Sequence, residues 1–304
     1  MQLLIELLLA GSVGGVKVGI AALGFALIFF ASRELHFAFG AISVLGGYVC
    51  YWVAVALGSG GFGVVVGALV AFTVTALFGI ALHKYLYRSL KSVTPVLMAS
   101  IGVGIVLENA MQIIAGPDIN ILAFRSLTQV VEIGFLRIRA LDIYVLLLFA
   151  VVAIALDLFM NRTRLGQGLG ATIADPEMAE LVGIRTERMR VGAYCAGAVL
   201  GTTTGIIQLL DTGVRSSNGF LILLYALIIT IMGRGNLRSV AIWSVAFGIA
   251  RSLWSWQFAT DYTELAVFAM MLLYLMIRDY LDRYQKGRGS TGEATHEAAA
   301  AASQ

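Results

Sequence analysis

Charge is what this chain has least of. Asp, Glu, Lys and Arg make up 13% of its 304 residues, against roughly 25% in soluble domains. With 59% hydrophobic residues and a mean hydropathy of +0.88, it carries more apolar surface than a soluble core of this length hides. That excludes a water-soluble globular fold and leaves an integral membrane protein. Proline is scarce, at 3 residues, and glycine abundant, at 34. This favours helices packed closely through small residues over a barrel of short alternating strands. Cys50 and Cys195 lie isolated in apolar runs, which gives neither metal spacing nor a disulfide pair. They read as small packing residues. His36, His83 and His296 are scattered, with no HxxxH or HExxH pattern, so a metalloenzyme has no ligand set. The net charge is +3 without a basic, aromatic-rich patch, and nucleic acid is not an expected partner.

What is present is a series of apolar runs. A membrane span needs about 20 of them in a row, and candidates fall at 12–31, 38–57, 62–82, 94–115, 141–160, 191–211, 219–233, 239–258 and 262–281. The expected fold class is therefore all-α, a polytopic bundle of eight or nine spans, some of them broken. Residues 1–10 read as a short lead-in helix. The N-terminus carries Glu6 and no early Lys or Arg, a poor signal-peptide start, so the first run is expected to be retained. The run at 219–233 is short, and 38–57 contains Gly40, Gly46 and Gly47, so both are candidates for interruption. Residues 287–304 are Gly, Ser, Thr and Ala with few charges, and are expected to form a disordered cytoplasmic tail behind a membrane domain of 1–286.

Lys and Arg placement sets the orientation. Loops 83–93, 161–190 and 233–238 and the C-terminal stretch from Arg278 to Arg288 together hold fourteen of the 21 Lys and Arg residues, five of them in 161–190. That side is expected to be cytoplasmic. Loop 116–140, loop 212–218 and the Asp261–Glu264 turn are then external, as is the N-terminus.

Loop 161–190 is long and patterned: NRTRLGQGLGATIADPEMAELVGIRTERMR. Asp175 is a good N-cap with Pro176 at the first helical position, and Gly183 is a helix stop. A two-turn helix is expected at 176–182, with Ala174, Met178, Leu181 and Val182 on one apolar face and Glu177 and Glu180 pointing elsewhere. Such a short helix is marginal alone. Either it caps the bundle, or it is a rigid knob that seats in a second protein.

This stretch closely resembles the cytoplasmic loop of ABC-importer permeases of the branched-chain amino acid and urea type, the LivH-like membrane subunits. Arg164, Gly166, Ala174, Asp175, Ala179, Gly183 and Ile184 occupy matching places. LHFAFGAISVLGGYV (35–49) resembles the family's N-F-A-H-G-E segment, YRSLKS (87–92) its Y-R-P-L-R loop, and YALIITIMGRGNLRSVAIWSVAFGIAR (225–251) its I-L-G-G-x-G-S segment. The resemblance implies an assembly in a bacterial inner membrane: a second permease subunit, LivM-like or an identical copy, two cytoplasmic ATPase subunits and a periplasmic solute-binding protein. ATP and Mg would be used by the ATPases, since this chain has no G-x-x-x-x-G-K-S/T phosphate loop and is expected to bind no cofactor or metal itself. The coupling residues would be Asp175, Pro176, Glu177, Met178, Ala179, Leu181, Val182 and Gly183.

The departures fall on the other implied site. Where the family has Asn, His and Glu, this chain has His36, Phe39 and Ala41, while Phe37, Ala38 and Gly40 match. The glycine-rich turn reads Gly233-Arg234-Gly235-Asn236, and the prolines expected after the last span and before the seventh are missing. A substrate pathway of His36, Phe37, Phe39, Gly40 and Ala41 is less polar than the family's, which points to a bulkier or more apolar solute.

Glu108 and Asn109 lie well inside the fourth span, where charge costs several kcal/mol unless it faces protein or water. They join the pathway candidates, with the alternative that Glu108 pairs with Lys17 or Arg251 inside the bundle. Asp157, near the cytoplasmic end, is expected to cap or to pair with Arg162. Gly197, Gly201 and Gly205 repeat every four residues, which reads as close helix packing. Two other functions stay open: a stand-alone secondary transporter or channel using Glu108 for ion coupling, and an integral-membrane enzyme, for which no His, Cys or carboxylate constellation appears.

Overall fold

The computed structural model describes residues 2–90, 92–122, 129–133, 136–257 and a few positions within 268–276. Ten α-helices in the described residues build the fold: α1 Gln2–Ser32, α2 Phe39–Ala56, α3 Gly61–Ala81, α4 Val93–Ala115, α5 Ala140–Arg162, α6 Arg164–Ala174, α7 Pro176–Leu181, α8 Thr186–Asp211, α9 Asn218–Met232 and α10 Leu237–Gln257. Six of them are long and apolar enough to cross a membrane, and α9 is a shorter apolar helix of 15 residues. Of the eight or nine expected spans, six are met by length and hydropathy among the described residues, with α9 as a shorter apolar helix. The run at 262–281 and the tail lie outside the described residues, apart from helical positions within 268–276. Met1–Ser252 forms one compact unit and Leu253–Gln304 a second.

Within the first unit the spans sort into centre and rim. The apolar window of α1 is 78% buried, against 11% for α4 and for α5. The lead-in helix and first span are one unbroken helix, because nothing between Gln2 and Ser32 stops it. The glycines of 38–57 do not interrupt α2 either; they let other helices approach. A Cβ on Gly40 would fall 1.9 Å from the Gly219 carbonyl oxygen, and one on Gly46 2.5 Å from a Thr202 methyl. The 197–201–205 repeat does the same on α8: a Cβ on Gly205 would fall 1.9 Å from the Ser43 carbonyl oxygen, and one on Gly197 2.6 Å from Ile28. Cys50 is buried, its carbonyl oxygen 2.7 Å from the Cβ position of Gly67. It acts as a small packing residue, as its sequence context suggests.

The all-α expectation needs one correction. Loop 116–140 holds a two-stranded antiparallel ribbon, β1 Val130–Ile133 and β2 Leu136–Arg139, with Val130 opposite Arg139 and Ile133 opposite Leu136. The alternation in LRIR is a period-2 pattern that helix-oriented scanning passes over. At this same end Asn120 and Val214 exchange backbone hydrogen bonds of 3.0 and 2.7 Å. Loop 161–190 is also more helical than expected. Thr163 caps α6 by accepting from the Gly166 N–H at 3.0 Å, so most of the loop is two helices in series.

Two charged residues pair otherwise than expected. Lys17 Nζ lies 2.8 Å from Asp142 and 2.8 Å from Asp211, not at Glu108. Asp157 pairs with Arg238 across from α10, not with Arg162.

Candidate functional site

The knob is built from its cap outward. Asp175 Oδ1 accepts from the Glu177 N–H at 3.0 Å and the Met178 N–H at 3.1 Å, and Pro176 needs no donor there. Gly183, with φ +85°, closes the other end: its N–H reaches the Glu180 carbonyl at 3.0 Å and the Ile184 N–H the Ala179 carbonyl at 2.9 Å. Ala179 alone faces inward, 3% exposed, while Met178, Leu181 and Val182 stand 61, 80 and 75% exposed. Three large apolar side chains on a rigidly capped turn are what a partner surface covers.

The knob is anchored to the first span. Arg33 follows α1 in a left-handed conformation, φ 56°, and its guanidinium donates to the carbonyls of Ile173 at 3.3 Å and Ala174 at 3.4 Å. These are the last carbonyls of α6, where a cation complements the helix dipole. Leu169 of α6 is buried against Leu27 and Ala31 of α1 and Ala193 of α8. An open polar cavity of about 590 Å³ lies beside the knob, between Arg33, Arg190, Glu177 and Glu180.

Behind this anchor the chain turns from α1 into α2, and the expected pathway residues meet. His36 is 2% exposed, with Nδ1 3.0 Å from the Tyr87 hydroxyl and its ring edge-on to Tyr87 and Tyr194. Burial pushes its imidazole down from 6.5 to about 3, with His83 adding to the effect, so it is neutral. The Tyr194 hydroxyl donates to Glu34 at 3.1 Å, and burial raises the Glu34 carboxyl despite that bond and the nearby Arg190. Tyr194 stacks on His83, whose Nε2 lies 3.3 Å from Glu187. Sequence reading named His36 as a site residue but missed Glu34, two positions before it, and His83, Tyr87, Tyr194 and Glu187, which are remote along the chain.

Phe39, Gly40 and Ala41 are buried and tightly packed. Phe39 is 1% exposed and meets Phe25 edge-on at 5.5 Å. Phe37 is held from its backbone: its N–H donates to Ser100 Oγ of α4 at 3.1 Å. Four residues on, Gly104 brings α4 against the same turn, its Cβ position 3.6 Å from the Ala38 Cα. Glu108 sits one turn further along that face and is half-buried, while Asn109 is exposed.

The arrangement is that of a polytopic helical membrane protein with an exposed apolar knob at the Arg-rich end and, among the described residues, no cluster of three or more His, Cys, Asp or Glu able to hold a metal. Residues 7–275 match the family described as branched-chain amino acid transport system, permease component, and the chain belongs to that family. It is similar to the high-affinity branched-chain amino acid transport system permease protein LivH of Escherichia coli (strain K12), at 24% identity over 276 residues, covering 86% of this chain and 90% of LivH. It is similar to BraD of Pseudomonas aeruginosa, the permease protein of a high-affinity branched-chain amino acid transport system, at 25% identity, covering 88% and 92%. Among solved structures, PsaBC from Streptococcus pneumoniae in complex with Fab matches at 15% identity with a TM-score of 0.48, covering 87% of this chain and 89% of that one.

Proposed function

We propose that this permease is the membrane subunit of an ATP-driven importer in the bacterial inner membrane, carrying a branched-chain amino acid or a related, more apolar solute. The chain does no covalent chemistry. ATP and Mg belong to two cytoplasmic ATPase subunits, and a periplasmic binding protein delivers the solute. The observation that carries the reading is the knob: Met178, Leu181 and Val182 exposed on a doubly capped turn, with Arg33 tying its base to the end of α1. ATPase closure would push α7, and α6 would pass the displacement to α1 and the 36–41 turn, alternating the access of a path beside Glu108. The names of the relatives support the solute class. The apolar side chains of Phe39 and Ala41, at places where the family motif resembled by 35–49 has His and Glu, support the shift towards apolar solutes.

The test is Met178→Arg with Leu181→Asp in the assembled system. Expected is loss of solute-stimulated ATP hydrolysis while the complex keeps its melting temperature. Unchanged stimulation overturns the coupling role. The stand-alone transporter reading rests on Glu108, and solute uptake by this protein alone in liposomes under an ion gradient would favour it.

A further inference from the structure

A cavity of about 630 Å³ lies between α5 and α10 at the Arg-rich end of the bundle. Leu23 of α1 and Ile173 of α6 form its floor, and Ile154 of α5 and Ile242 of α10, both exposed, form its edges. Its volume and mainly apolar walls are those of a small-molecule site. α5 is long and apolar enough to span a membrane, and α10 covers the span expected at 239–258. The crevice therefore opens sideways, among lipid tails.

One end of this crevice is charged. Arg238 and Asp157 line it from opposite helices and pair across it, Nη2 donating to Oδ2 at 2.9 Å and Nε to Oδ1. Asn161 Nδ2 also donates to Asp157 Oδ1, at 3.0 Å. The pair stays open to its surroundings, with the Arg238 side chain 65% and the Asp157 side chain 33% exposed. Asp157 precedes Arg162, the end of α5, by about 7.5 Å at 1.5 Å per residue, and Arg238 is in the first turn of α10. That is the depth at which a lipid's headgroup joins its tails.

We infer that the crevice holds an acyl chain of a phosphatidylethanolamine lipid, whose phosphate meets Arg238 and whose primary ammonium meets Asp157. The ion pair is neutral as a unit. A headgroup of phosphate and ammonium presents the matching pair of opposite charges, so each side chain gains a charge-assisted bond and no charge is left over. A quaternary choline has no N–H to give Asp157, and a glycerol headgroup brings a negative charge that Arg238 alone answers. The other arginines of this end attract anionic lipids along the whole surface; Asp157 beside Arg238 is what selects an ammonium. A protein helix in the crevice would strip water from the pair and, without both charges of its own, return nothing. The acyl chain rests on Ile173, next to the Ala174 carbonyl that Arg33 holds, at the base of the knob. The inference uses only the membrane-spanning fold and stands apart from the importer reading.

The test uses the full chain, with whatever subunits co-purify, in detergent with equal amounts of ethanolamine, choline and glycerol phospholipids of one acyl composition. Native mass spectrometry reads the last lipid to leave. Expected is an ethanolamine lipid, retained at least several-fold over the other two. Asp157→Asn should abolish the preference for ethanolamine over choline. Ala241→Trp fills the crevice and leaves the ion pair in place, and should lose the lipid, whereas Ala155→Trp, on the exposed face of α5 outside the crevice, should keep it. Equal retention of the three lipids, or a preference that survives in Asp157→Asn or Ala241→Trp, overturns the site. In native membranes, the photo-reactive residue p-benzoylphenylalanine at Ile242 should give a lipid adduct. An adduct with protein instead, from another subunit or from this chain's own residues beyond 257, would show the crevice to be filled by protein and would also overturn it.

Discussion

Lys17 Nζ lies 2.8 Å from Asp142 Oδ1, joining the middle of α1 to the first turn of α5 across 125 positions of sequence. The same ammonium is 2.8 Å from Asp211 at the end of α8, and Arg139, leaving the β-ribbon, bonds both aspartates as well. Two cations and two carboxylates thus neutralise one another where three helices and the ribbon converge. Part-buried charges that are mutually satisfied specify one arrangement more than they add stability.

Removing one member leaves the others uncompensated. Lys17→Met is expected to lower stability by about 1–3 kcal/mol through the two aspartates it strands. The double change Lys17→Met with Asp142→Asn should recover part of that loss. Thermal unfolding of the detergent-solubilised protein reads both beside Asp142→Asn alone, and a loss in the double variant equal to the sum of the two single losses would show that the pair is not coupled.

The pH dependence of stability has a definite sign at His36. Its folded imidazole is held down to about 3 from 6.5 by burial, with His83 contributing. The unfolded chain therefore takes up a proton near 6.5 that the folded chain refuses. The stability this supplies is complete above 6.5 and is lost as pH falls from 6.5 towards 3, by at most about 1.4 kcal/mol per pH unit. Glu34 works in the opposite sense, since its raised carboxyl favours the folded form as pH falls. His36→Asn should flatten the loss between pH 6.5 and 5. A variant as acid-sensitive as the parent in that interval would assign the effect elsewhere.

Helix contacts at glycine predict a graded series. At Gly205 a Cβ would fall 1.9 Å from a backbone oxygen of α2, and Gly192 on the same helix has nothing within 4 Å. Gly205→Ala should cost at least the upper end of the ~1–3 kcal/mol typical of overpacking, because the obstacle is backbone. Gly192→Ala should be neutral or stabilising, by up to about 1 kcal/mol from helix propensity. Melting curves of the two variants side by side decide it, and equal effects would remove the close approach as the reason for the glycine.

What could be read from sequence was what is local. Asp175, Pro176 and Gly183 signal one short helix through capping chemistry alone, and the structure places α7 there with those caps. The glycine repeat of α8 likewise announces itself by spacing. Pairings between distant elements have no such signal. Hydropathy offered Glu108 as the partner of Lys17, whereas Asp142 and Asp211 come from the ends of α5 and α8, brought beside α1 only by the packing of the helices. The aromatic surroundings of His36 come from α8 and the turn after α3, so sequence found the histidine and not its setting. The β-ribbon escaped because four-residue strands carry too few repeats to outweigh a helical background.

The cap of α7 separates folding from coupling. Asp175 supplies side-chain bonds to two backbone donors of a six-residue helix, and losing such a cap costs ~1 kcal/mol. That is a small fraction of a whole bundle's stability but a large one for two turns of helix, which are marginal to begin with. Asp175→Ala should therefore leave global melting nearly unchanged while fraying the face that holds Met178, Leu181 and Val182. If α7 transmits force, solute-stimulated ATP hydrolysis in the assembled system should fall several-fold, and Asp175→Asn or Asp175→Ser, which still accept at the cap, should restore it. Full coupling in Asp175→Ala would mean that a frayed knob serves as well as a rigid one, and the transmission of force through this helix would have to be given up.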